Sequence, residues 1–348
     1  MGNFINESLD INEKDENKNE ETNKNDDLEN EKIKIIERKT LLVSKYRECW
    51  LFGNNKINYI DEIKSLICFS TFKINFISYP SFIRNVDFEE FINTMDIDYY
   101  NYQKNSNKLY VNYKKKEYTN VFLIQNKTIK LLFEEIPLAI EDLIEISSQK
   151  IIVMHKDNIS CSCFEFKNNE YEKIKTFKRN NGKIYTPKGI QNNEIFIHSI
   201  GNFPKGNKFF IANKIGIQVF DSETLELINI LFIDNNDICF LNNNYFVTIY
   251  NSDITLFDLK TFKKLDSLNV FWENGGRLQA LGNTGYFIAS QWTNVAYVKI
   301  LEIKNNKINY VRYLTDNLIP YNSSLYFDNT VFIDGCEEAI HIFKFDFK

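Results

Sequence analysis

Two short runs of this chain end in the same pattern. Ile217-Gln218-Val219-Phe220-Asp221 is matched, 37 residues later, by Ile254-Thr255-Leu256-Phe257-Asp258. The first run closes a longer unit. An apolar run from Ile197 to Ile200 leads through Gly201-Asn202-Phe203 into a Pro204-Lys205-Gly206 turn, then Phe209-Phe210-Ile211-Ala212, a short polar break and the closing run. Each apolar run is four to eight residues long and is bounded by turn residues, which is the signature of strands rather than helices. A unit of this size cannot bury its own apolar faces, so copies of it must stack side by side.

Further copies follow the same rhythm. One runs from Ile151-Ile152-Val153-Met154 to Cys161–Phe166 and a Lys167-Asn168-Asn169 turn. Another pairs Tyr245–Ile249 with Phe257-Asp258, a third pairs Tyr286-Phe287-Ile288-Ala289 with Leu301-Glu302, and the last pairs Thr330–Ile333 with Ile340–Phe345. Two fainter units are Lys108–Val111 with Val121–Ile124, and Thr40–Val43 with Cys49–Phe52. Residues 64–105 are apolar but irregular, with a short helix expected over Asp87–Met95. The arrangement predicts an all-β chain forming a single β-propeller of about seven four-stranded blades, at roughly 40–45 residues each. The last copy reaches Lys348 after what reads as a third strand, so the segment just after residue 32 is expected to supply the missing outer strand and close the ring.

The domain boundary follows from charge. Residues 1–32 hold 11 acidic and 4 basic side chains and are rich in Asn, which predicts a disordered acidic leader; residues 33–348 form the propeller and carry about +2 of the net −5. A nearly neutral body gives no reason to expect nucleic acid as a partner. Gly and Pro are scarce, at 12 and 5, so Asn is expected to take the left-handed turn positions. The six cysteines lack a Cys-x-x-Cys pair and no secretory signal precedes them, which predicts reduced thiols in a cytoplasmic protein. Cys161 and Cys163, two apart in a strand, are expected to share one packed face.

The unit at 195–231 resembles a WD-repeat. Ile197, Ser199, Ile200, Pro204 and Gly206 match that family's strand and turn, with Asn202 in place of the usual aromatic, and Ile217–Asp221 matches its Ile-x-Val-Trp-Asp strand. Ile254, Leu256, Phe257 and Asp258 match the same strand in the next unit. The family's Gly-His pair is absent, and Phe or Leu stands at every Trp position. The resemblance implies a protein-interaction scaffold without catalytic activity.

Residues that could carry chemistry are sparse. His155, His198 and His341 fall in three different units, a pattern that predicts neither a metal site nor a His-based catalytic pair. No phosphate-binding glycine loop, dinucleotide fingerprint or nucleophile elbow occurs, and Gly275-Gly276 reads as a loop turn. No cofactor is implied. Lys114-Lys115-Lys116 reads as a solvated loop, and Phe177-Lys178-Arg179-Asn180 departs at two positions from the motif of lipid-binding propellers. In WD-repeat rings partners dock on inter-blade and middle-hairpin loops, here Lys156-Asp157, Tyr250-Asn251, Gln291-Trp292 and Glu337-Glu338. Trp272, Arg277 and Trp292 are the candidate protein-binding residues, because Trp and Arg dominate interface hot spots. The leading expectation is therefore a non-catalytic scaffold or adaptor, a monomeric ring with protein partners. The alternative is a peripheral membrane protein that is N-myristoylated at Gly2 or binds lipid head groups. In Met1-Gly2-Asn3-Phe4-Ile5-Asn6, Gly2 is the required acceptor, Asn6 replaces the favoured Ser or Thr, and a single acyl chain beside an acidic leader binds membrane weakly. A degenerate propeller enzyme is the third reading.

Overall fold

A computed structural model describes the chain from Ile33 to Phe347 except residues 43–56, 71–72, 84, 94, 114–117, 137–139, 156–159, 169, 179–183, 187–188, 192–196, 214–215, 271–274, 292–295, 319–320 and 336–338. Among the described residues, strand β1 (Ile33–Leu42) and the strands after it form seven antiparallel blade sheets and one two-stranded hairpin. Blade 1 holds β2 (Asn58–Ile60), β3 (Ser65–Ser70) and β4 (Lys73–Ser78), then helix α1 (Val86–Ile92). Blade 2 holds β5 (Ile97–Gln103), β6 (Lys108–Tyr113), β7 (Thr119–Gln125) and β8 (Thr128–Ile136). Blade 3 holds β9 (Ile140–Glu145), β10 (Lys150–His155), β11 (Ser160–Lys167) and β12 (Glu170–Lys178), after which β13 (Ile184–Thr186) and β14 (Gly189–Gln191) form a separate hairpin. Blade 4 holds β15 (Ile197–Asn202), β16 (Lys208–Asn213), β17 (Gly216–Asp221) and β18 (Leu227–Leu231). Blade 5 holds β19 (Asp237–Leu241), β20 (Tyr245–Tyr250), β21 (Asp253–Asp258) and β22 (Lys264–Asn269). Blade 6 holds β23 (Gly275–Ala280), β24 (Tyr286–Gln291), β25 (Ala296–Lys304) and β26 (Lys307–Leu318). Blade 7 holds β27 (Tyr321–Phe327), β28 (Thr330–Gly335) and β29 (Ala339–Phe347).

The ring closes as the sequence predicts. β1 pairs antiparallel with β29, from Ile33 opposite Phe347 to Leu42 opposite Ala339, and becomes the outer strand of blade 7. Thr40–Leu42 therefore belongs to the closing strand and not to an early blade of its own; Cys49–Phe52 lies outside the described residues.

Among the described residues the core is seven clusters, one between each pair of neighbouring blades. Ile60, Ile74 and Phe76 meet Ile97, Tyr100 and Leu109 between blades 1 and 2. Ile57, Leu66 and Ile77 meet Phe332, Ile340 and Ile342 between blades 1 and 7, which completes the circle. Sheets pack face to face because each blade is apolar on both faces, so the middle strands read as near-continuous apolar runs such as Phe209–Ala212. One hydrogen bond recurs in all seven blades. Tyr79, Ile124, Phe166, Ser222, Leu259, Ile303 and Phe345, each late in or just after the third strand, donate their backbone N–H to the carbonyls of Lys64, Asn107, Gln149, Asn207, Asn244, Gly285 and Asn329.

The aromatic that replaces Trp stacks within its blade. Phe220 lies on Phe209 at 5.2 Å between ring centroids, and Phe257 on Phe246 at 4.9 Å. The acid that follows caps the turn. Asp221 Oδ1 accepts from the N–H groups of Glu223 and Thr224, and Asp258 Oδ1 from those of Lys260 and Thr261. The two turns match in detail: Leu225 and Phe262, again 37 positions apart, both adopt positive φ (61° and 59°) and both enter inter-blade cores. Of the 14 described non-Gly residues with positive φ, eight are Asn, as the composition predicts.

Blade 1 departs from four strands. Its outer position is taken by α1 and its flanks, which occupy the free edge of β4 bond by bond. Asn93 Oδ1 accepts from Ile74 N–H at 2.9 Å while Asn93 Nδ2 donates to Ile74 O at 2.8 Å. Glu89 Oε1 accepts from Phe76 N–H at 3.1 Å, Asn85 N–H donates to Phe76 O at 2.7 Å, and Ser78 N–H bonds Ile83 O at 2.8 Å. One asparagine amide thus reproduces both bonds that a neighbouring strand would make to Ile74. Tyr113 Oη donates to Ile92 O at 2.7 Å and ties the end of α1 to blade 2.

Candidate interaction face

Every blade repeats the same inner-to-outer antiparallel order, so the seven inner strands run the same way and their first residues share one face of the ring. On five of those strands the pairing skips a residue at this end. β5 skips Asp98, β9 skips Glu141, β15 skips His198, β23 carries an extra residue at Gly276–Arg277, and β27 skips Asn322. A bulge adds one unpaired residue and re-aims its side chain, which is why bulges collect at barrel rims and beside functional sites. Asp98, Glu141, His198 and Arg277 are each half-buried.

The best-connected part of this face spans blades 4 to 6. Asp237, the first residue of β19, accepts from Leu278 N–H through Oδ2 at 2.8 Å and so ties two inner strands together. Arg277 N–H donates to the Oγ of buried Ser290 at 3.0 Å. Buried Asn235 donates through Nδ2 to the carbonyls of Asn213 (3.0 Å) and Ile233 (2.9 Å), while its Oδ1 is buried without a partner. Both ring nitrogens of His198 are buried and face the backbone of Asn213 and Asn235. Burial pushes the His198 imidazole below its ordinary pKa; the Asp237 carboxylate opposes that shift and the Arg277 guanidinium adds to it. His198, Asp237 and Arg277, from three blades, thus share one electrostatic neighbourhood.

Among the candidate residues, Arg277 lies on this face, within β23 rather than in a loop between blades. Gly275 and Gly276 likewise start that strand and are not a loop turn. Trp272, Trp292 and Gly2 lie outside the described residues, as do Lys114–Lys116, Lys156-Asp157 and Glu337-Glu338. Gly275 pairs with Gln291 at this end of blade 6. Tyr250 ends β20 on the same face, and Asn251 turns there with positive φ. Phe177 of the lipid-motif string is buried between blades 3 and 4, with its ring 5.0 Å from Phe220. Cys161 and Cys163 pack together in the cluster between those blades, and burial pushes the Cys163 thiol up to about 11. His155, His198 and His341 fall in blades 3, 4 and 7; His155 Nε2 meets Ser162 Oγ at 2.9 Å. Among the described residues no helix is long and apolar enough to cross a membrane.

The sequence reading missed Asp98, Glu141, Asn235 and Asp237. For Asp98 and Glu141 the available signal was the polar residue after the first apolar residue of the inner strand, in Ile97-Asp98 and Ile140-Glu141, as also in Ile197-His198.

No family model matches the chain, and no curated protein does. Among solved structures, it is similar to a chain in a crystal structure of the mitotic checkpoint complex, with a TM-score of 0.64 and 8% identity over 88% of this chain and 94% of that one. At that identity the likeness concerns the fold, and it agrees with the repeat pattern, the seven inter-blade clusters and the strand exchange at the closure: the chain folds as a seven-bladed β-propeller.

Proposed function

We propose that this chain is a non-catalytic scaffold that binds partner proteins on the face where the inner strands begin. The reading rests on the inner-strand bulges, which place Asp98, Glu141, His198 and Arg277 at one end of a ring whose blades are locked by continuous apolar packing. A rigid platform presenting half-buried charged groups around a mouth suits recognition of a protein surface, because preorganised side chains lose little freedom on binding. Arg277 is assigned the central role, with Trp272 and Trp292 as its aromatic neighbours in sequence around the paired Gly275 and Gln291.

The test is proximity labelling in the native cell with wild type and Arg277→Glu, after thermal melting shows equal stability. The expected result is a reproducible set of labelled proteins of which a subset is lost at least tenfold in the variant. An unchanged set overturns the assignment of Arg277. Turnover of a small molecule that depends on His198 and Asp237 overturns the scaffold reading itself.

A further inference from the structure

The outer strands of the blades face solvent along an open edge, and five of the six that are described carry charge along it. β8 has Lys130; β12 has Glu170, Glu172 and Lys173; β22 has Lys264; β26 has Lys307 and Arg312; β1 has Lys34. Charge on an edge strand is the usual guard against pairing with another chain. β18 has none. From Leu227 through Ile233 no charged residue or proline occurs, and the apolar side chains are turned outward: Leu227 is 48% exposed, Ile228 46%, Ile230 37% and Phe232 57%. The bulge against β17 adds Ile228 to the strand and leaves apolar side chains open on both of its faces.

The sequence of this edge also says what fits it. Leu227-Ile228-Asn229-Ile230-Leu231 reads the same in both directions. Two copies paired antiparallel about Asn229 would set Asn229 opposite Asn229, Ile228 opposite Ile230, and Leu227 opposite Leu231. Glu226 would fall opposite Phe232 and Thr224 opposite Asp234, so no like charges meet. In a two-fold antiparallel pair residue i faces j and j faces i, and here the palindrome makes every facing pair like on like: Leu on Leu, Ile on Ile and Asn on Asn. Cross-strand pairs of large β-branched and aliphatic side chains are among the most favourable on a sheet. Ile230 N–H is held by Asn229 Oδ1 of the same strand at 2.8 Å, so pairing exchanges that bond for one to a backbone carbonyl. We infer that β18 is a homodimerisation edge, through which two rings join their fourth blades into one continuous eight-stranded sheet.

The register makes the test specific. Sedimentation velocity of the full chain over a hundredfold concentration range is expected to show a shift from the single-chain mass to twice that mass. Ile228→Lys/Ile230→Lys places lysines opposite each other across the two-fold and is expected to hold the chain at single mass throughout. Ile228→Lys/Ile230→Glu places lysine opposite glutamate and is expected to restore the dimer, with an affinity that falls as salt rises. All these side chains are exposed, and equal melting temperatures confirm that each variant folds. A wild type that stays at single mass at every concentration overturns the inference. So does a dimer that survives the double-lysine variant, or one that the lysine–glutamate variant fails to restore.

Discussion

In blade 1 a helix and one asparagine stand in for the fourth strand, and Asn93 is the residue at which this can be tested. Truncation by Asn93→Ala removes the acceptor of Ile74 N–H and the donor to Ile74 O, bonds of 2.9 and 2.8 Å to a residue that is fully buried. A net hydrogen bond contributes about 1 kcal/mol, and a buried group left unsatisfied costs about 1–3 kcal/mol. Two groups are affected, and water entering the gap left by the shortened side chain recovers part of the loss. The expected destabilisation is therefore about 2 kcal/mol, read by urea unfolding at neutral pH with far-ultraviolet circular dichroism. The same figure predicts a local signature. Protection of the Ile74 amide against hydrogen exchange should fall by about 30-fold, since 1.4 kcal/mol is a factor of ten. An amide that exchanges through global unfolding, as expected for Val247 in the middle of β20 in blade 5, should lose the same factor, so any excess at Ile74 is local. A loss below about 0.5 kcal/mol with Ile74 protection unchanged would show that the edge of β4 does not depend on Asn93 and that α1 is not its fourth strand.

Two further outcomes follow from buried groups. Because burial holds His198 below its ordinary pKa of about 6.5, the unfolded chain takes up a proton there at higher pH than the folded chain does; stability is complete above about pH 6.5 and declines as pH falls below it, and His198→Gln should flatten that part of the melting-temperature profile between pH 7.5 and 5.5. At Gly201 an added Cβ would come within 2.5 Å of the Phe210 ring, so Gly201→Ala should destabilise by about 1–3 kcal/mol in the same urea assay, and Gly201→Ala/Phe210→Leu should recover part of the loss if the clash is the cause.

How much was legible in advance depended on whether the deciding interaction lay within a blade or between elements. The strands of blades 3 to 7, the left-handed asparagines and the closure by β1 were readable because period, turn chemistry and an incomplete last copy are local signals. A short helix over Asp87–Met95 is expected from the sequence and forms at Val86–Ile92, but its purpose is not legible there: only folding brings Asn93 and Glu89 against the edge of β4, nineteen and thirteen residues away from the backbone groups they satisfy. Blade 1 was for that reason the part of the ring without a strand pattern to match. The bulged inner strands were equally hidden, because a skipped residue is a property of two paired strands and cannot be seen in either alone. Arg277 was picked out as an isolated arginine; its relation to His198 and Asp237 needed three blades to be set side by side.

By itself the sequence determined the class and an approximate count of blades, since strand repeats of about 37 residues with apolar faces have few ways to bury themselves other than by stacking in a circle. It also fixed the local roles of Phe220, Phe257, Asp221 and Asp258, whose partners sit in the same blade. Only the tertiary structure decided which charged residues gather at one face, which blade borrows a helix for its edge, and which outer strand is left apolar and open. Those features depend on contacts and exposure between segments far apart in the chain, and no periodicity along a single strand encodes them.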